Sequence, residues 1–399
     1  MGSLINKNYL SVEDKMETVK GFRDIEDATK RNVIRRIIED VFKLYNFRAV
    51  ESPIIEYEKF VKGDNASDES VSDIFKLKDK GKRDLALRYE FTFQLKRLSR
   101  NKKLPYKRYQ IGEVFRDEPI SGNRWRGFTQ CDIDIVGSSV RDEAEILKAT
   151  NEILEKLGID FNINFNNRKL LNEILEGCGV GVDDRVEVIR EIDKLDKISE
   201  KEVRASLKKY GAEKVIGILK KPRSYFKKYK SYKEVLLLEK LCKDYGFRIN
   251  FVPFLARGLS YYNGSIFEIK SGMKETIAAG GSYMVNGIQS SGISFGLDRL
   301  TMLAKVDEGF KRVLVISLGE DKESVGLAEK IRASNVPCEV YYGKLGKGLD
   351  YANSTGIPLV VFVGSEEVKK RKFKLKNMNS GKERLLSVGG LVREIVRAG

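Results

Sequence analysis

The 399-residue sequence predicts an α+β fold: a strand-rich domain interrupted by a helical block and followed by a smaller α/β domain. Three observations carry this. Short segments of alternating hydropathy, interleaved with helices, fill the first 166 residues and return over 247–298. The stretch between them, 167–245, reads as almost wholly helical, like an insertion within one domain. From about residue 312, β and α patterns alternate regularly, which predicts a small domain with a largely parallel sheet. The boundaries read from these shifts are 1–166, 167–245, 246–308 and 311–399. At roughly 100–200 residues per domain, each part can bury a core.

Residues 28–45 form a helix with Val33, Ile34, Ile37, Ile38, Val41, Phe42 and Tyr45 on one face, and Asp27 suits its N-cap. A strand over 47–53 follows, its terminal proline fitting a sheet edge. Segments 83–89 and 109–116 read as strands around a helix at 92–100. The run 129–136 alternates Cys131, Ile133 and Ile135 with Asp132 and Asp134, a two-faced strand. A helix at 142–157 stops at Gly158, and 159–165 alternates again. In the tail, strands at 312–318, 338–342 and 358–363 alternate with helices at 322–334 and 347–355. A basic strand at 372–377, a turn at 379–382 and a helix at 390–398 complete the chain. No repeat with a period of roughly 20–50 residues interrupts this order.

Composition narrows the chemistry. The chain contains no histidine, which excludes Ser-His-Asp and Cys-His nucleophiles, His-ligated zinc and a histidine general base. Catalysis must rest on Arg, Lys, Asp, Glu, Tyr or backbone groups. Four cysteines, far apart in sequence, read as free thiols in a reducing compartment. The N-terminus lacks an apolar signal core, and no run of about 18 apolar residues occurs, so a cytoplasmic protein without membrane contact is expected. The net charge is +16, with 12 Lys/Arg against 2 acids over 201–233 and 17 against 10 over 311–399. Two basic regions beside a nearly neutral body suit a polyanion touched in two places.

Three segments carry candidate chemistry. In YQIGEVFRDEPISGNRWRGFTQCDIDIVG (109–137), two strands flank a loop with Arg116, Glu118, Arg124 and Arg126. Arg116 follows Phe115 at the end of an apolar strand, where its planar fork calls for a phosphate or carboxylate. FLARGLSYYNGSIFE (254–268) places Arg257 before tandem Tyr261 and Tyr262 and ends at Glu268. AGGSYMVNGIQSSGISFGLDRL (279–300) is Gly- and Ser-rich and leads into a helix bearing Arg299. Neither a Walker-type phosphate loop nor G-x-G-x-x-G is present.

In this order the segments resemble the class II aminoacyl-tRNA synthetases, specifically the histidyl-tRNA synthetase family. KGFRDI (20–25), the helix leading to Pro53 (motif 1) and LALRYEFT (85–92) are similar to that family's N-terminal half. VFRDE with RWRGFTQCDIDIVG resembles motif 2, ARGLSYYNGSIFE the histidine-specific signature, and GISFGLDRL motif 3. The resemblance implies a catalytic domain built on an antiparallel sheet flanked by helices, a helical insertion that embraces the tRNA acceptor arm, and an α/β anticodon-binding domain after residue 310. It implies formation of histidyl-adenylate from ATP and L-histidine, transfer of the acyl group to histidine tRNA, Mg2+ accompanying ATP, and a homodimer formed through residues 28–57. By the same resemblance Arg116 holds the α-phosphate and Arg257 stabilises its charge during attack. Glu118, Arg124, Phe128 and Arg299 complete the ATP site. Glu90 and Thr92 receive the α-ammonium, and Gln130, Asp134, Tyr261, Tyr262 and Tyr283 line the histidine pocket with Arg257. Lys369, Lys370, Arg371, Lys372 and Lys374, in the run KKRKFKLK, are implied tRNA contacts.

The sequence departs from the family pattern at Ser260, usually Asp, at Ser282 and Met284, usually Arg and Asp, and at Tyr89, more often Pro or Phe. The first three replacements could weaken substrate contacts or a local salt bridge. Two other readings stay open: a catalytically silent regulatory subunit of ATP phosphoribosyltransferase, and an RNA-binding sensor without turnover.

Overall fold

The computed structural model describes residues 17–62, 73–120, 122, 124–257, 261–273, 276–307 and 312–397. The chain divides into two compact units, Met1–Val306 and Asp307–Gly399.

In the first unit, α1 (Thr29–Leu44), β1 (Arg48–Ala49), β2 (Ile55–Tyr57), α2 (Glu58–Lys62), β3 (Lys76–Lys78), β4 (Asp84–Leu87) and α3 (Thr92–Leu98) lead to the long hairpin β5 (Tyr106–Phe115) and β6 (Gly127–Val136). Then come α4 (Val140–Lys156), β7 (Phe161–Asn167), α5 (Arg168–Gly177), α6 (Arg185–Asp193), α7 (Glu200–Lys208), α8 (Lys214–Leu219) and α9 (Tyr232–Asp244). Strands β8 (Asn250–Phe251), β9 (Tyr262–Ser271), β10 (Ala278–Val285) and β11 (Ile288–Gly296) and helix α10 (Leu297–Leu303) close the unit.

An eight-stranded sheet with order β1-β5-β6-β11-β10-β9-β7-β8 organises these elements. Its pairs are antiparallel except at the two ends, where β1–β5 and β7–β8 run parallel. Helix α1 buries Ile34, Ile38, Val41 and Phe42, and Asp27 Oδ1 accepts the Thr29 amide at 2.8 Å, as a cap should. Helix α4 starts in a capping box, the Ser139 amide donating to Asp142 Oδ2 at 2.8 Å. The helical block does not carry a core of its own. Val188, Val203, Ile216, Phe226 and Leu238 belong to one hydrophobic cluster with Ile133 and Ile135 of β6 and Phe267 of β9.

Several boundaries differ from the sequence reading. The strand expected over 47–53 shrinks to two residues, and Pro53 lies between β1 and β2. Strand β5 begins at Tyr106, three residues early, which brings Arg108 into the sheet. Strand β7 ends at Asn167, two residues late.

The second unit holds β12 (Val313–Ser317), α11 (Asp321–Arg332), β13 (Cys338–Tyr342), α12 (Leu345–Ser354), β14 (Leu359–Val363), α13 (Ser365–Lys370), β15 (Lys372–Asn377), β16 (Glu383–Ser387) and α14 (Val388–Arg397). Its sheet order is β13-β12-β14-β15-β16. The expectation of a largely parallel sheet is corrected: β13, β12 and β14 are parallel, but β14–β15 and β15–β16 are antiparallel. For β15–β16 the reason is local: the turn in which Asn377 Oδ1 accepts the amides of Asn379 and Ser380 reverses the chain into a hairpin. The β14–β15 pair is antiparallel although the short helix α13 connects the two strands. Helix α13, unforeseen in the sequence, ends at Arg371 in a left-handed conformation (φ 49°).

Candidate active site

The strand β6 shows why the cavity forms where it does. Period-two alternation sends Cys131, Ile133 and Ile135 into the hydrophobic cluster and Gln130, Asp132 and Asp134 to the other face. That face is covered too, so the two aspartates are only 4% exposed. They line a cavity of about 790 Å3 in the first unit. The cavity gathers every residue expected for the ATP and histidine sites: Glu90, Thr92, Arg116, Glu118, Arg124, Phe128, Gln130, Asp134, Arg257, Tyr261, Tyr262, Tyr283 and Arg299. Lys369, Lys370, Arg371, Lys372 and Lys374 belong to the second unit and are not among its lining residues.

Arg116 projects from the end of β5. Its guanidinium lies 4.4 Å from the Tyr89 ring centroid and 5.1 Å from that of Phe128, and Nη2 donates to Gln130 Oε1 at 3.4 Å. The Tyr89 ring therefore serves as one wall of a stacked arginine slot. Glu118 forms an ion pair with Arg124 at 3.1 Å and stands 4.0 Å from Arg116. Across the cavity, Arg257 Nη1 stands 4.0 Å from Glu268 Oε1 of β9. Thr276 Oγ1 donates to that same carboxylate, and Arg299 Nη1 donates to Thr276 O at 2.5 Å. One residue earlier, Asp298 accepts from Arg23 and Arg31 at 2.8 and 2.7 Å, tying the N-terminal segment to α10.

At the other end of the cavity, Tyr261 lies 4.7 Å from Tyr262 and 5.8 Å from Tyr283 between ring centroids. The Tyr283 hydroxyl donates to Asp134 Oδ1. Asp134 Oδ2 is 2.6 Å from Arg108 Nη2, and Arg108 is fully buried. Burial raises the Glu90 carboxyl to about 7, against the nearby Arg116 charge. Burial also raises Asp132 to about 7, with Arg108 opposing and Asp134 reinforcing the shift. Glu90 Oε1, Asp132 Oδ1 and Arg257 Nε are buried atoms without a hydrogen-bond partner. All three belong to cavity-lining residues, which is where polar capacity held for a ligand belongs.

The glycines make room for this array. A Cβ on Gly292 would stand 2.1 Å from Asp134 Oδ1, and one on Gly281 would stand 2.8 Å from the Tyr262 ring. Of the three described departures from the family pattern, Tyr89 lines the cavity against Arg116, and the other two do not touch it. Ser282 faces away from it, 1% exposed, and donates to Glu143 on α4, while Met284 is 47% exposed. Neither lines the cavity. Ser260 lies outside the described residues.

Arg108 and Asp132 escaped the sequence reading as site residues. Starting the strand at 109 hid Arg108, although it pairs in register with Asp134 across β5–β6. Asp132 shares its spacing with Gln130 and Asp134, and that period of two was the available signal.

A family profile described as histidyl-tRNA synthetase matches residues 21–300, and one described as an anticodon binding domain matches 312–398. A histidine–tRNA ligase 1 of Bacillus cereus is 34% identical over 92% of this chain and 97% of its own length. A histidine–tRNA ligase of Wolinella succinogenes is 33% identical, covering 92% of this chain and 95% of the relative. The crystal structure of histidyl-tRNA synthetase from Nostoc sp. PCC 7120 superposes with a TM-score of 0.85 at 24% identity, covering 96% of this chain and 99% of that one. At that identity the likeness speaks for the fold. The chain belongs to the histidyl-tRNA synthetase family.

Proposed function

We propose that the protein ligates histidine to its tRNA through histidyl-adenylate. The observation that supports this best is the meeting of Arg116, Arg257 and Arg299 with Gln130, Asp134 and three tyrosines in one cavity. In the first step a histidine carboxylate oxygen attacks the α-phosphorus of ATP. A carbon–oxygen–phosphorus link forms, and the bond to the pyrophosphate oxygen breaks. The developing negative charge sits between Arg116 and Arg257, and Arg299 receives the departing phosphates. Displacement of this kind needs alignment and charge stabilisation, so a chain without histidine can perform it. Glu90, at the start of α3 with Thr92, takes the α-ammonium, and Tyr283 with Asp134 faces the imidazole. In the second step a ribose hydroxyl of the tRNA attacks the acyl carbon, and AMP leaves.

Mg2+ arriving with ATP needs only one or two carboxylates beside the phosphate oxygens, and would neutralise their charge. Glu118 and Glu268 line the cavity and fit that demand. The 167–245 block is assigned to the acceptor arm and 311–399 to the anticodon. The homodimer through 28–57 and a cytoplasmic location belong to the same reading. No described helix is long and apolar enough to cross a membrane.

The match over 312–398 to an anticodon binding domain favours the ligase reading over a silent regulatory subunit. Histidine-dependent ATP–pyrophosphate exchange is the test; purified protein without exchange would refute the ligase reading. Within it, Arg257→Ala is expected to cut exchange by about 10²–10³ with the fold intact, and a normal rate would remove Arg257 from the mechanism.

A further inference from the structure

Arg257 lies in the stretch 252–257, which contains no helix and no strand. Something else must hold it, because an arginine that stabilises a transition state has to be placed in advance. The holding groups sit where β7 turns into α5. The Val252 amide donates to Phe165 O at 2.9 Å. Asn166 Nδ2 donates twice, to Pro253 O at 2.7 Å and Leu255 O at 2.9 Å. Arg168 Nη1 donates to the carbonyl of Arg257 itself at 3.3 Å. Asn166 is fully buried and Arg168 only 4% exposed.

Local structure accounts for only one side of Asn166, whose Oδ1 accepts the Asn167 amide at 2.8 Å while both of its Nδ2 bonds go to 253–255, and it does not account for Arg168. The residue that caps α5 is Asn167, whose Oδ1 accepts the amides of Lys169 and Leu170. Arg168 is the first residue of α5, where a positive charge opposes the helix dipole. Its burial also disfavours the charge, partly offset by the field of Asp193, which lines the cavity. A buried cation in an unfavourable helix position serves whatever it binds, and Arg168 donates to the backbone of Arg257. The same turn grips the far end of the helical block: Asn167 Nδ2 and Lys169 Nζ donate to Glu234 of α9 at 3.0 and 2.7 Å.

We infer that Asn166 and Arg168 are positioning residues for Arg257, holding the backbone of 253–257 so that its guanidinium meets the reacting phosphate. The helical block is thereby mounted on the segment that presents the arginine. This deepens the ligase reading and rests on it.

The test uses histidine-dependent pyrophosphate exchange by the full-length protein, with kcat and KM read separately. Asn166→Ala and Arg168→Met are expected to lower kcat about 10- to 100-fold, the cost of a displacement of about 1 Å, with KM for ATP within about threefold. Arg168→Lys should recover most of the loss, since an ammonium reaches a single carbonyl. Combined with Arg257→Ala, each change should cost less than about threefold more, because both act through one group. Equal losses with and without Arg257, or a change confined to KM, would overturn the inference. Trp125 emission gives the unfolding midpoint, and Asn166→Asp, similar in size but without the donors, replaces an alanine variant that does not fold. An inactive unsubstituted protein would refute the ligase reading and this inference with it. Full rates in the variants beside an active parent would refute the positioning alone.

Discussion

Glu90→Gln should stabilise the free protein, and by an amount that depends on pH. The Glu90 carboxyl is 8% exposed, and burial lifts it from 4.5 to about 7. A carboxyl raised in the folded state is protonated there at pH values where the unfolded chain has already released the proton. The destabilisation is therefore absent below 4.5, grows between 4.5 and 7, and is complete above 7. A shift of about 2.5 units at 1.36 kcal/mol per unit gives a cost of about 3 kcal/mol at pH 8 and under about 1 kcal/mol at pH 5. Glutamine is isosteric and carries no charge, so the variant should gain about 2 to 3 kcal/mol more at pH 8 than at pH 5. Urea unfolding followed by Trp125, the chain's single tryptophan and a cavity residue, reports on the first unit. The variant should also bind histidine poorly, since the carboxylate that meets the ammonium is gone. An identical stability change at both pH values would refute the protonation argument, whatever happened to activity.

Replacing Lys369, Lys370, Arg371 and Lys372 with Ala should weaken tRNA binding and flatten its salt dependence by up to about 0.7–0.9 in log–log slope per lost phosphate contact. Lys370 already pairs with Glu366 at 2.9 Å, so its share should be the smallest; an unchanged slope would return the run to ordinary solvated surface. Gly292→Ala forces a methyl to within 2.1 Å of Asp134 Oδ1, and should raise KM for histidine and lower stability by about 1–3 kcal/mol; wild-type values for both would show that the strand yields freely. An enzyme for histidine tRNA that contains no histidine can be translated while that charged tRNA is scarce. Its synthesis during histidine starvation should exceed that of a variant with several added histidine codons, and equal synthesis would leave the absence without this role.

Much of the site was legible because its signals are local. The alternation of Gln130, Asp132 and Asp134 against Cys131, Ile133 and Ile135 follows from strand geometry. Arg116 after an apolar strand already asked for an anion. What escaped depended on where elements begin and what lies across from them. Arg108 was lost to a boundary three residues off, and α13 was hidden in a six-residue charged stretch too short to show a period. Ser282 looked like damage to the site until its neighbour Tyr283 took the cavity side of β10 and left Ser282 facing Glu143.

The sequence by itself determined the order and type of the main elements, the ordered motif residues, the two basic regions and the exclusion of histidine chemistry. Each is a property of a short window or a count. The tertiary structure decided which of these meet. Strand β6 lies beside β11, about 160 residues away, with Gln130 in register with Gly296. Helix α5 reaches a carbonyl 89 residues along the chain. Backbone periodicity is set within a few residues, but pairing across a sheet depends on every intervening connection, and only the folded chain makes that choice.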